Sequence, residues 1–309
     1  MIKRVQNLIA ESRLALPATA TFTLCIWLLS GLSADYWWLS LTCFALSLYL
    51  IIELNNANAL IRIYSRMVSC SFLMLSCVAC FLFRSHWGSV TELLVIAAYL
   101  TLFTTYQDRQ STGWTYYTFL LLSLASLISP HLLYFIPVYW LLMAFKVQSL
   151  SWRTFWASVI GLLTPYWFAG AVLIYDGDMD WFISHFTQLA TTGESFDYHQ
   201  LSTSEVATYI FVAVMAMTGI IHYLRTRYND KIRVRLLFDC FIIMDLLAGA
   251  LLAWQPQHYD LLMRLMIINT SPLIGHFIAL THTRWTNWAF YIIIGATLSL
   301  TAYNLWMLL

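Results

Sequence analysis

Three aspartates stand at alternate positions in the stretch YDGDMDW: Asp176, Asp178 and Asp180. In extended backbone this pattern sets carboxylates on one side, where they can hold a hard divalent cation such as Mg²⁺ or Mn²⁺, with water or substrate phosphate completing the shell. A calcium loop of the EF-hand type is excluded. Its sixth and twelfth positions need glycine and glutamate, and here they are Trp181 and Thr187. The other reading is an acidic turn that marks where the chain leaves a membrane.

Ionisable and amide side chains inside apolar runs point to a second chemistry, because a charge in hydrocarbon costs several kcal/mol unless it is paired or faces a cavity. The run LLFDCFIIMDLLAGALLAW carries Asp239 and Asp245. Six residues apart, they sit roughly 120° apart around a helix and need different partners. Arg235 is a local partner for Asp239. Asp245 has none, so it is protonated, hydrogen-bonds across helices, or lines a polar cavity. The following run, LLMRLMIINTSPLIGHFIAL, supplies Asn269 near the depth of Asp245 and His276 near that of Asp239, with Pro272 and Gly275 permitting a kink between them. Arg264 lies about one turn inside the same run, able to pair with Asp260 or to bind a lipid phosphate with its planar fork.

The elements that position these groups follow from composition. The 309 residues are 61% hydrophobic and only 10% charged, with a mean hydropathy of +0.71. These values belong to a polytopic membrane protein, and a net charge of +1 argues against nucleic acid. Apolar runs of spanning length recur along almost the whole chain. They predict an all-α transmembrane bundle, a single domain over 1–309, with about eleven spans near 14–32, 37–54, 67–83, 92–106, 114–129, 131–147, 154–175, 205–223, 236–254, 261–281 and 287–307. The short pair about SPHLL, interrupted by Pro130 and Pro137, is read either as two helices or as a re-entrant element.

Placing the N-terminus in the cytoplasm puts fourteen of the sixteen lysines and arginines in inner segments and Arg84 alone in an outer one, with Arg264 inside a span. Short cytoplasmic connections retain such residues, so the orientation is N-in and C-out. Acidic residues show the reverse bias, concentrated in a long outer loop at about 176–204. Within it Trp181, Phe182, Phe186 and Leu189 recur at helical spacing and predict a short amphipathic helix on the outer interface. The six cysteines all lie in apolar runs and are read as small hydrophobes, the CVAC pair of Cys77 and Cys80 included.

The stretch SLASLISPHLLYFIPVYWLLMAF, followed by SWRTFWASVIGLLTPYWFAG, resembles a family of multi-spanning inner-membrane proteins in Bacteroidota. The resemblance implies an inner membrane and a Gram-negative envelope, and carries no catalytic residues with it. A looser similarity is to polytopic enzymes that use polyprenyl-phosphate sugars, whose first outer loop usually carries a key acid; SGLSADYWW offers Asp35 there.

Three functions follow. In the first, the chain is a non-catalytic partner in envelope assembly, its outer loop docking another envelope membrane protein. In the second, it is an enzyme acting on a lipid-linked substrate, with Asp35, Asp176, Asp178 and Asp180 as base or as ligands of a divalent cation, and Arg264 on phosphate. In the third, it is a transporter of a small solute or ion with Asp245, Asn269 and His276 at a mid-membrane site. Neither a confident metal site nor a cofactor is evident in the residue pattern, and the bilayer itself is the one partner common to all three.

Overall fold

A computed structural model describes residues 4–32, 34–177, 179–190, 196, 198–199 and 201–308. Among them the fold is all helix, with no strand. Seven helices are long and apolar enough to cross a membrane, or eight if a bent pair counts as one. In chain order they include α1 (Val5–Glu11) and α2 (Ala15–Gly31), which form the bent pair, then α3 (Trp37–Asn58), α4 (Met67–Val78) and α5 (His86–Thr104). A hairpin follows, of α6 (Thr112–Ile128), a 3₁₀ turn (Pro130–Phe135) and α7 (Ile136–Phe145). The chain continues through α8 (Trp152–Asp176), α9 (Met179–Ala190), α10 (Thr203–Thr226), α11 (Ile232–Trp254), α12 (Tyr259–Leu280) and α13 (Arg284–Leu308).

The bundle is built around α12. Every residue of its apolar window is buried, against 17% for α8 and for α13, so α12 is an interior helix and those two face outward. An apolar surface on all sides is what such a position requires. Around it pack α4, α5, α10 and α11, with α3 and α6 on α5, α8 on α6, and α2 on α4. Hydrocarbon supplies no hydrophobic drive for these contacts, so close backbone approach matters. A Cβ added at Gly219 of α10 would lie 2.8 Å from the Leu273 carbonyl carbon, and one at Gly275 of α12 would lie 3.0 Å from Val68 Cα on α4.

Pro272 leaves α12 without one backbone donor, which frees the Ile268 carbonyl. The Ser271 hydroxyl donates to that carbonyl at 3.0 Å, and so the helix continues through the proline. At the start of the chain α1 and α2 meet at 88°, where the sequence reading placed a single first span after a basic leader. Ser12 is extended at the corner, and its hydroxyl accepts from the Leu14 amide at 3.1 Å. The cause of the bend is polar: Gln6 donates to the Ile278 carbonyl at 2.7 Å and to Thr281 Oγ1 at 2.6 Å, and Asn7 to the Thr281 carbonyl at 3.0 Å. Thus α1 lies across one end of α12.

The two ends of the bundle can be told apart by their contacts. At the α1 end, Arg62 reaches Asp230, Arg233 reaches Asn58, and Gln107 pairs with the Val147 carbonyl. At the other, Arg84 donates to the Ser30 and Leu308 carbonyls, and Tyr134 on the 3₁₀ turn donates to the Leu189 carbonyl of α9. The predicted amphipathic element at 181–189 falls within α9, and Ile183 and Phe186 are exposed on it.

Gly219→Ala is expected to lower stability in detergent by about 1–3 kcal/mol, since α10 must move off α12. Gly295→Ala, where an added Cβ meets nothing within 4 Å, serves as the matched control. Thermal unfolding of the two variants checks it; equal midpoints would show that the α10–α12 approach is not tight.

Candidate functional site

The densest polar cluster in the interior forms around Arg264. This side chain is only 3% exposed, on the first turns of α12. Its Nη1 donates to Glu92 Oε2 at 2.6 Å, its Nε to Asp260 Oδ1 at 3.3 Å, and its Nη2 to the Leu82 carbonyl at 2.5 Å and the Ser85 carbonyl at 3.5 Å. Asp260 precedes Arg264 by one helical turn, the spacing at which such pairs meet. Glu92 comes from α5, nearly two turns inside the helix that Ser85 caps by accepting from the Gly88 amide. The carbonyl acceptors belong to the 3₁₀ turn Cys80–Arg84 and to Ser85, at which α4 gives way to α5.

Gly88 makes room for the cluster. A Cβ there would collide with Asp260 Oδ2 and lie 2.6 Å from Arg264 Nε. One guanidinium thus ties α12, α5 and the α4–α5 turn together through charge-assisted hydrogen bonds. With its donors directed at two carboxylates and two carbonyls, Arg264 is held within the protein. Glu92 keeps one oxygen, Oε1, buried and without a hydrogen-bond partner among the described residues.

Asp35 is exposed and lines an open cleft of about 580 Å³ with Arg84, Ser85, His86 and Trp87. Ser85, which lines this cleft, also accepts from Arg264 through its carbonyl. Of the aspartate triplet, Asp180 is exposed on α9, whereas Asp178 and the side chain of Asp176 lie outside the described residues. Glu194 and Asp197 of the long loop lie outside them too. No group of three or more metal-ligating side chains forms among the described residues.

The mid-membrane candidates are distributed among separate bonds. Asp245, 2% exposed, accepts from Thr270 Oγ1 at 3.2 and 3.1 Å, so the depth match with α12 holds while the partner is the residue after Asn269. Asn269 faces another way and accepts from the Tyr99 hydroxyl of α5 at 2.7 Å. His276 meets Asp230 at 3.1 Å near the α1 end. Asp239 pairs with Lys146 at 2.8 Å and Arg227 at 3.5 Å, while Arg235 turns to the Asp230 carbonyl.

Three participants escaped sequence reasoning. Glu92 sat in the sequence as one more outer acid; its signal was a carboxylate just inside an apolar run. Tyr99 and Asn304 carry no sequence signal of that kind. Asn304, 2% exposed on α13, donates to the Val78 carbonyl at 2.6 Å and to Thr208 Oγ1 at 2.7 Å, bridging α4 and α10.

At the end of the bundle away from α1, α9 docks through His185, 5% exposed, whose Nε2 shares a hydrogen bond with the Tyr166 hydroxyl at 3.2 Å; Tyr166 in turn meets Ser126 at 2.8 Å. Burial holds the His185 imidazole below its ordinary value of 6.5, which favours the neutral ring.

The fold and these contacts define an α-helical membrane protein. Neither a family profile, nor a curated protein, nor a solved structure matches the chain.

Two outcomes are expected. Glu92→Ala strands the Arg264 charge and should cost about 3–5 kcal/mol, with Glu92→Gln milder because it keeps an acceptor; denaturant titration in detergent checks both, and a neutral Glu92→Ala would show that the pair is not structural. For His185 the lowered folded-state value means that docking of α9 is fully stable above the ordinary imidazole value of 6.5 and weakens as pH falls below it. Hydrogen exchange across 183–189 should therefore quicken at acid pH in the native protein, and His185→Gln should flatten that dependence.

Proposed function

We propose that the chain is an eleven-span bacterial inner-membrane protein, N-terminus cytoplasmic and C-terminus periplasmic, that serves envelope assembly as a non-catalytic partner. Its periplasmic segment at about 176–204, with α9, is the surface offered to another envelope membrane protein. The observation that carries this reading is that Arg264 and Asp239 are engaged in ion pairs within the protein and Asp245 in a hydrogen bond with Thr270, whereas the apolar side chains Ile183 and Phe186 of α9 are exposed. Buried pairs of this kind fix which helices meet.

The span count is supported by the element list. Seven long helices, the bent pair α1–α2 and three shorter apolar helices together number eleven. The odd number agrees with residues 4–7 meeting 278–287 at one end while Leu308 meets Arg84 at the other. The orientation is supported by the basic residues at the α1 end, in keeping with retention of lysine and arginine in the cytoplasm.

In mild detergent the protein is expected in a stoichiometric complex with a second membrane protein. Ile183→Glu should release it as a folded monomer of unchanged midpoint. A monomer before mutation would overturn the reading. The open cleft of Asp35, Arg84 and His86 favours a second one, an enzyme on a lipid-linked phosphate substrate at the outer leaflet. That alternative predicts divalent-cation-dependent turnover abolished by Asp35→Asn.

A further inference from the structure

On the other half of the molecule, α2, α4, α10, α12 and α13 surround an apolar cavity of about 380 Å³. Its walls include Ala18, Met74, Met215, Ile274 and Ile293. This size falls within the range of about 300–1,000 Å³ found for ligand pockets. It starts at the α1–α2 corner, where Ser12 and Leu14 line it on either side of the exposed Arg13. It ends at Thr297, thirteen residues along α13 from the exposed Arg284. At about 1.5 Å per residue that depth is roughly 20 Å. Half of a hydrocarbon core about 30 Å thick, together with the headgroup level above it, has that reach.

One polar atom inside points to an occupant. Ser71, 6% exposed, lines the cavity, and its hydroxyl has no hydrogen-bond partner among the described residues. A buried helical serine ordinarily donates to a carbonyl one turn back, as Ser76 does to Phe72 at 2.8 Å and Ser271 to Ile267 at 2.8 Å. Ser71 lies five residues along α4 from Arg66, about 7 Å below the interfacial arginines, at the level of a glycerol ester. An orphaned hydroxyl there costs about 1–3 kcal/mol unless a ligand accepts from it.

We propose that this cavity is a binding site for one anionic diacyl phospholipid of the leaflet at the α1 end, with an acyl chain in the cavity, its ester carbonyl accepting from Ser71, and its phosphate against Arg13. The charges select the lipid class. Each basic residue near the surface contributes about 1 kcal/mol toward anionic lipid, which is roughly fivefold in affinity. Apolar walls without partner atoms forfeit dispersion energy, which a hydrocarbon chain restores and water does not. The site is independent of the assembly reading, since it occupies the opposite end of the bundle from α9.

The test uses the full chain, delipidated in mild detergent and titrated with phosphatidylglycerol or phosphatidylethanolamine of matched chains, read by native mass spectrometry and thermal midpoint. One phosphatidylglycerol should bind and raise the midpoint, with phosphatidylethanolamine weaker. Arg13→Gln should weaken phosphatidylglycerol about fivefold and phosphatidylethanolamine, whose phosphate is offset by its own ammonium, less. Ala18→Phe, at an exposed position on the cavity wall, should abolish the bound equivalent. Ser71→Ala should weaken binding without lowering the lipid-free midpoint, because it removes an orphan, and so it reports even where the bulkier variant fails to fold. Equal binding of both lipids, or full retention by Ala18→Phe or Ser71→Ala, would overturn the proposal.

Discussion

A helix buried on every side in a membrane-spanning bundle has to find partners for its polar groups within the protein, and α12 carries an arginine, an asparagine, a threonine and a histidine under that condition. The Arg264 contact set is the strongest consequence. The guanidinium can be interior only because Glu92, Asp260 and the carbonyls of a 3₁₀ turn surround it, and only because Gly88 has no side chain to occupy their place. Remove any one and the charge is left in a region where an unpaired ion costs several kcal/mol. The arrangement of α4, α5 and α12 at that end is therefore fixed by a single side chain.

The same logic repeats at other depths with different chemistry. Thr270 and Asp245 join α12 to α11, Asn269 and Tyr99 join it to α5, and His276 and Asp230 join it to the chain just before α11. Consecutive residues on one helix point to different neighbours, so Asn269 and Thr270 cannot serve one site even though they share a depth. Close approach adds to these bonds, as α10 shows at Gly219. The bundle thus combines a few directional polar contacts, which choose neighbours, with small-residue packing, which sets distances.

How much of this was legible depended on whether the partner was local in sequence. The all-helical membrane fold, the amphipathic stretch at 181–189 and the pairing of Arg264 with Asp260 follow from composition, periodicity and a four-residue spacing. The Glu92 contribution did not, because nothing in the sequence says that α5 lies beside α12. Asp239 likewise had Arg235 within a turn, yet its partners are Lys146 and Arg227 from distant segments, while Arg235 caps a carbonyl instead. The bend between α1 and α2 was hidden for the same reason: Gln6 and Asn7 look like ordinary interfacial residues until the end of α12 is seen beneath them.

This economy is incomplete at several buried side-chain atoms, two of them near opposite ends of the bundle. Glu92 Oε1 and Ser71 Oγ are both buried without a partner among the described residues, one near each end of the bundle. They differ in what surrounds them. Glu92 is a charged group already neutralised by Arg264, so its second oxygen can remain unbonded at modest cost within a paired site. Ser71 is a neutral donor beside an apolar void, where neither a counter-charge nor a backbone carbonyl offsets its desolvation, and a short rotation would ordinarily have found the carbonyl one turn back. That asymmetry is why the open volume next to Ser71, rather than the charged cluster, is the place where the structure calls for something that is not protein.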